Sequence, residues 1–323
     1  MTGDVSPSAG PSLGPGPAVL AVDVGGTDTK SALVDEAGVV REILRRPTPH
    51  DGARTGERVV DEAVEVAAEL RARHPDVVPA AVGMVVPGVV DDERGVGVWS
   101  ENLGWRDMPF ADVATARLGV PVSLGHDVAA AGWAEYQLGA AAGYRDALVV
   151  TLGTGIAAAV LLDGRPYRGG GLAGEIGHAR VADGPDCVCG GRGCLEAVAS
   201  AAAIARRYTA ATGRPAAGSR EVLAAADAGD RDAQTVRDEA FDALALGLSH
   251  AVALLAPQVI VLGGGLSHAG EALLAPLGRR LDDLLTFHRR PVLLRARLGG
   301  DAGVLGAALR ARSAVGGAPG GAP

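Results

Sequence analysis

Cys187, Cys189 and Cys194 are the chain's only cysteines, and all fall within eight residues. Thiolates spaced Cys-x-Cys-x4-Cys can converge on one Zn²⁺, and a closed structural site needs a fourth ligand. His178, nine residues before Cys187, is the nearest histidine, and a Cys₃His set uses every thiol. The alternative is three ordinary buried thiols, which would have no reason to cluster. An odd number grouped this way is not a disulfide framework. Gly174-Glu175-Ile176-Gly177-His178 and Glu196 bracket the cluster. A metal that folds this loop brings Glu175 and Glu196 near one another. Two carboxylates beside a histidine can then accept hydrogen bonds from several sugar hydroxyls. Taken singly, each glutamate reads as a solvated surface charge.

Three glycine-rich turns follow apolar runs. In Asp23-Val24-Gly25-Gly26-Thr27 the glycines let backbone N–H groups approach an anion with no Cβ in the way, and Thr27 adds a hydroxyl. Asp23 is placed to hold a hydrated Mg²⁺. Lys30, the single lysine, is close enough in sequence to see a phosphate. A plain hairpin with glycine at positive φ is the competing reading. Gly153-Thr154-Gly155 repeats the pattern, and two such turns facing each other would clamp the β- and γ-phosphates of a nucleotide. Gly263-Gly264-Gly265 offers a flat floor for an adenine or ribose. Asp127 stands where a strand gives way to a helix. A general base fits there, within about 3 Å of the hydroxyl it deprotonates, and so does a plain helix N-cap.

The elements that must position these residues are readable from periodicity. Apolar runs predict strands over 18–24, 29–34, 80–86, 120–124, 147–151, 156–162 and 259–262. Helical spacing predicts helices around 59–70 and over 129–138, 195–211, 219–228 and 230–255. Strand, glycine turn, strand occurs twice about 130 residues apart, which suggests a duplicated two-lobe α/β architecture. Asp301 can cap a final helix, whose Gly303 and Gly306 would let it approach another backbone closely. Residues 1–17 and the tail from 314 are rich in glycine and proline and read as disordered.

The 323 residues carry 30 basic and 38 acidic side chains, a formal charge of −8, which argues against a nucleic-acid surface. No run is long and apolar enough to span a membrane, no signal peptide is evident, and the cytoplasm is the expected compartment.

Taken together these residues resemble the ROK family (repressors, open reading frames of unknown role, and sugar kinases) from about Val19 to Arg312. Asp23-x-Gly-Gly-Thr is similar to its first phosphate motif, Gly153-Thr-Gly to its second, and Gly263–Gly265 to its adenosine motif. Gly-Glu-Ile-Gly-His at 174–178 and Cys-Val-Cys-Gly-Gly-Arg-Gly-Cys-Leu-Glu at 187–196 match its signature. The resemblance implies an actin-like ATPase (ribonuclease H-like) fold, two α/β lobes around an interlobe cleft. The N-terminal lobe would run over 18–124, completed by a helix at 301–312, and the C-terminal lobe with the zinc loop over 125–300. It implies MgATP-dependent phosphorylation of a hexose hydroxyl, most simply glucose at its 6-hydroxyl, with Asp127 as catalytic base. Asn102, His126, Glu175, His178 and Glu196 would hold the sugar, His178 also ligating a structural Zn²⁺ through its other ring nitrogen. Homodimers or homotetramers are usual in the family. Its repressors carry an added N-terminal helix-turn-helix that a 17-residue leader cannot hold. Two departures bear on specificity: the family's kinases usually have Asn where His126 stands, and often Gly where Ala157 and Ala158 stand. An N-acetylated amino-sugar kinase and a catalytically silent sugar sensor are the competing readings.

Overall fold

The structure, a computed structural model, describes residues 12–316. It divides into two units, Met1–Ala134 with Asp301–Pro323, and Glu135–Gly300.

In the first unit, β1 (Val19–Val24), β2 (Asp28–Val34) and β3 (Val40–Pro47) form an antiparallel meander, followed by α1 (Thr55–Arg73) and β4 (Ala81–Val86). A small antiparallel sheet of β5 (Val89–Asp91), β6 (Val96–Trp99) and β7 (Arg106–Met108) leads into α2 (Phe110–Leu118), β8 (Val122–His126) and α3 (Asp127–Leu138). The main sheet has the order β3-β2-β1-β4-β8, with β4 parallel to both β1 and β8. Alternation along β1 sorts its side chains: Leu20, Val22 and Val24 pack with the Val59, Ala63, Val66, Leu70 stripe of α1, while Val19 and Ala21 face the other layer.

The second unit repeats the plan. Its strands β9 (Ala147–Leu152), β10 (Ile156–Leu162) and β11 (Arg165–Tyr167) form the meander. After them come α4 (Leu195–Ala199), α5 (Ala201–Thr212), α6 (Ser219–Asp227), α7 (Arg231–Leu255), β12 (Val259–Gly263), α8 (Glu271–Leu284) and β13 (Val292–Arg295). The sheet order β11-β10-β9-β12-β13 matches that of the first unit, with β12 parallel to β9 and β13. The expected duplication is therefore present strand for strand. Leu148, Val150 and Leu152 of β9 meet Phe241, Leu244, Leu248 and Val252 of α7 and Leu273, Leu277 and Leu281 of α8 in one core.

The chain then returns to the first unit as α9 (Ala302–Gly316), which covers the second face of that sheet with Val304, Ala307, Ala308 and Ala311. The close approach expected of this helix is present. A Cβ on Gly306 would lie 2.1 Å from the Ala130 carbonyl oxygen, and one on Gly303 would lie 2.4 Å from Oδ2 of Asp23.

Several expectations are corrected. Residues 12–17 of the leader are held: Arg312 donates to the carbonyls of Gly14 and Pro17, and the Leu13 N–H donates to Gly38. The helix α9 continues through 314–316; residues 1–11 and 317–323 lie outside the described residues. The helix expected over 195–211 is two, because Ser200 takes extended angles and caps α5 by accepting from the Ala203 N–H at 3.0 Å. The division between units falls after Ala134 and not after 124, since β8 is hydrogen-bonded into the first sheet. Glu135, 1% exposed, opens the second unit and accepts from the backbone N–H groups of Ala140, Arg297 and Leu298.

Asp230 shows how one carboxylate can fasten two helices and the loop that follows the first of them. It caps α7 by accepting from Ala233 and Asp232, and also accepts from Tyr208 of α5 and from Arg214. These bonds, the Ala233 N–H first among them, hold its pKa down to about 2 from an ordinary 3.8. A depressed carboxylate stabilises the fold above its unfolded pKa and loses that contribution as pH falls through the folded one. Asp230→Asn therefore lowers the melting temperature by a few degrees at pH 7, and the gap from wild type closes between pH 4 and pH 2. Melting curves across that range check it.

Candidate active site and metal centre

The first glycine turn joins β1 to β2. Its glycines are not at positive φ; Gly25 is needed because a Cβ there would lie 2.8 Å from the Asp28 carbonyl oxygen. The segment after β3 backs this turn. Thr48 Oγ1 donates to the Gly25 carbonyl at 2.8 Å and the Thr48 N–H to Thr27 at 2.8 Å, while His50 Nε2 lies 3.1 Å from the Gly26 carbonyl. Thr48 and His50 went unnoticed in the sequence, where Pro47-Thr48-Pro49 reads only as a loop. Gly26 and Thr27 are exposed.

Beside the turn, Asp23 sits directly opposite Lys30 in the hairpin register. Burial pushes the Asp23 carboxyl up to about 7, the charges of Asp127 and Asp301 add to the rise, and Lys30 opposes it. Lys30 Nζ lies 3.7 Å from Asp301 Oδ1, so the single lysine meets a carboxylate here. Asp301 forms the end of a 3₁₀ turn leading into α9. The carboxyls of Asp127 and Asp301 thus act on Asp23 electrostatically, with Lys30 as the opposing cation.

Asp127 is the first residue of α3, and its Oδ1 accepts from the Val128 N–H at 2.7 Å. The capping contact to the Ala129 N–H comes from His126 Nδ1 at 3.4 Å, so the preceding residue takes the place that the capping alternative gave to Asp127. His126 Nε2 is 3.5 Å from Asp127 Oδ1. Asn102 lies exposed on a loop pinned by the buried side chains of Leu103 and Trp105, the latter edge-on to Phe110.

In the second unit the Gly153-Thr154-Gly155 turn joins β9 to β10. Glu196 Oε2 accepts from the Ile156 N–H at 2.8 Å and occupies the space a Cβ on Gly155 would need, 2.3 Å away. Thus one oxygen of this expected sugar ligand braces the turn. The Gly174–His178 segment lies flat on β10: the Ala158 N–H donates to Gly174, whose Cβ would be 1.8 Å from the Ala158 carbonyl oxygen. Ala158 itself is a core side chain, so its methyl does not add bulk to the turn. Ala157 is half-buried.

His178, Cys187, Cys189 and Cys194 come together with all four ligand atoms within 4.8 Å of one another. Cys187 Sγ is 3.7 Å from His178 Nδ1, and Cys189 Sγ is 3.7 Å from Cys194 Sγ. Two sulfurs on one tetrahedral Zn²⁺ with Zn–S bonds of about 2.3 Å sit about 3.8 Å apart, so the donor set fits zinc. Burial pushes the Cys194 thiol up to about 12, whereas a hydrogen bond from the Gly191 backbone leads the causes that lower Cys189. His178 turns its other nitrogen, Nε2, toward Glu175 Oε2 at 3.8 Å. A backbone bridge between Arg180 and Cys194 and the Leu195 N–H to Ala179 bond close the loop onto α4, which carries Glu196.

The third glycine run ends β12. Gly263 remains in the ladder opposite Thr151, and Gly264, at φ 77°, has its carbonyl held by Ser267. Gly265 lines a pocket of about 280 Å³ with Leu266, His268, Ser219, Arg220 and Leu223. None of the described helices is long and apolar enough to cross a membrane.

Two units, each with the same mixed five-stranded sheet, glycine turns off the first strand of each, and a Cys₃His loop define a two-lobe α/β protein of the actin-like type. The chain belongs to the ROK family, whose model matches residues 19–314. It is 34% identical over 319 residues to a glucokinase of Thermotoga maritima, covering 93% of this chain and 98% of that protein. It is 34% identical over 300 residues to an N-acetylmannosamine kinase of Shigella flexneri, covering 91% and 98%. Among solved structures, the ROK hexokinase of Thermus thermophilus superposes with a TM-score of 0.82 at 38% identity, covering 93% of this chain and all of that one. The ROK glucokinase of Streptomyces griseus in complex with glucose and AMPPNP superposes with a TM-score of 0.76 at 33% identity, covering 92% and 99%.

Two measurements test these sites. Elemental analysis of purified protein is expected to find one Zn²⁺ per chain, the stoichiometry of a single Cys₃His site, and Cys189→Ser to lose it with a fall in melting temperature. Asp23 gives the opposite pH sign to Asp230. A carboxyl that ionises near 3.8 unfolded and near 7 folded opposes folding increasingly as pH rises between those values. With divalent cations chelated, Asp23→Asn is expected to melt with wild type at pH 4 and above it at pH 8.

Proposed function

We propose that this protein transfers the γ-phosphoryl group of ATP to the hydroxyl of a hexose, with glucose and its 6-hydroxyl as the first substrate. The observation that carries this reading is Asp127: a half-buried carboxylate at a strand end, beside Asp23, with the helix-capping contact supplied by His126. The kinship with glucokinases over nearly the whole chain supports the same chemistry.

In this reading Asp127 orients the sugar hydroxyl and accepts its proton as the oxygen attacks phosphorus, and ADP leaves in line. Little covalent work falls to the protein, so positioning and charge stabilisation dominate. Asn102, His126, Glu175, His178 and the free oxygen of Glu196 bind the sugar hydroxyls. Gly25, Gly26 and Thr27, with Gly153, Thr154 and Gly155, present N–H and hydroxyl donors to the phosphates. Gly263, Gly264 and Gly265, with the pocket beside them, receive the adenosine. Asp23, held in place by Lys30, would hold Mg²⁺, which when bound neutralises phosphate charge. Zinc orders the loop between Glu175 and Glu196 and takes no part in the chemistry. Assembly as a homodimer or homotetramer belongs to the same reading.

A second reading, phosphorylation of an N-acetylated amino sugar, has specific support in the 34% identity to an N-acetylmannosamine kinase. Asp127→Asn is expected to lower kcat by about 10²-fold or more, the usual worth of a general base, with zinc content and melting temperature kept. A panel of hexoses in an ADP-release assay distinguishes the two substrates, and no turnover with any of them would leave a sugar-binding protein without kinase activity.

A further inference from the structure

We propose that residues 48–50 form a latch behind the first glycine turn, with Thr48 and His50 as positioning residues that aim its N–H groups at the terminal phosphates of the nucleotide. The proposal rests on reading that turn as a phosphate site, and it concerns what makes the turn competent.

Three successive carbonyls of the turn are held from one segment. Gly25 accepts from Thr48 Oγ1, Gly26 pairs with His50 Nε2, and Thr27 accepts from the Thr48 N–H. Because the Gly26 carbonyl only accepts, His50 must carry its proton on Nε2. Each peptide unit is planar and trans, so its C=O and N–H point in opposite directions. Fixing the carbonyls of Gly25 and Gly26 toward 48–50 therefore fixes the N–H groups of Gly26 and Thr27 away from it, on the exposed side of the turn. Successive N–H groups aimed one way make an anion-binding concavity. Without the latch, a glycine pair of this kind is free to rotate its peptides and lose that alignment.

Thr48 is itself held. It is 4% exposed, and its hydroxyl lies 3.0 Å from that of Thr29, also 4% exposed. With Thr48 donating to Gly25, Thr29 donates to Thr48, giving a two-hydroxyl relay that ends on the turn. A valine at 48 keeps the shape and loses the donor; a serine keeps the donor.

The test compares the binding of a non-hydrolysable ATP analogue (AMPPNP with Mg²⁺) and of AMP, by calorimetry, to wild type, Thr48→Val, Thr48→Ser, His50→Ala and His50→Gln. AMP lacks the terminal phosphates and serves as the control for the adenosine end. Thr48→Val is expected to weaken AMPPNP about tenfold, the scale of one lost positioning hydrogen bond, with AMP affinity unchanged. Thr48→Ser and His50→Gln, which keep a donor, restore AMPPNP binding. Equal loss for AMPPNP and AMP, or no loss for either, overturns the latch. Should Thr48→Val fail to fold, the exposed His50→Ala variant carries the same comparison, and unchanged AMPPNP affinity there overturns the role of His50. A wild-type protein that binds AMP and AMPPNP equally overturns the phosphate reading of the turn and the latch with it.

Discussion

One hydrogen bond organises the second unit: the Ile156 N–H donating to Glu196 Oε2. It forms where Gly155 leaves room for a carboxylate in place of a side chain. Through it the start of β10, the glycine turn before it and α4 become a single assembly. Two residues before Glu196 stands Cys194, so the donor set that fits zinc is covalently continuous with the brace on the turn. From the other side, Gly174–His178 is laid along β10 by the Ala158 to Gly174 bond, and His178 closes the metal set. A metal held by this set would in this way determine where a glycine turn and two glutamates stand.

In the first unit the corresponding turn is braced by hydrogen bonds from a neighbouring segment. That turn leaves an equivalent strand in an equivalent sheet, but the brace is made by the segment after β3 and the charge arrangement by Asp23, Lys30, Asp127 and Asp301. The small residues of α9 belong to this solution. Alanines at 307, 308 and 311 and glycines at 303 and 306 let the helix lie close enough for its first turn to meet the Asp23 carboxylate. A bulky core residue at those positions would separate the helix from the acidic cluster. The abundance of glycine and alanine in the composition thus has a local use here.

Much of this was legible in the sequence. Strands buried on both faces, such as Ala81–Val86, are unbroken apolar runs, and cysteines and glycines announce the turns and the metal set by type and spacing. What escaped notice shares a cause. β3 alternates half-buried and exposed residues and carries Arg41, Arg45 and Arg46, so it has no apolar run to see. α8 contains Pro276 and Gly278, which read as breakers although the helix runs through them. Thr48 and Glu135 act on backbone groups more than twenty and more than one hundred and sixty residues away, respectively, and no local pattern encodes such a partner. Ser200 interrupts a helical run by taking extended angles and capping the helix that follows, inside a stretch otherwise rich in alanine.

A chain with one lysine has one side-chain amine, and here it stands beside Asp301 and opposite Asp23. Acylating reagents, which on most proteins scatter over many lysines, can therefore report on a single side chain. The extent of their reaction at Lys30, read by mass spectrometry, becomes a gauge of how tightly that ammonium is held. A reagent usually too blunt for mechanism is, in this molecule, a local probe of its acidic cluster.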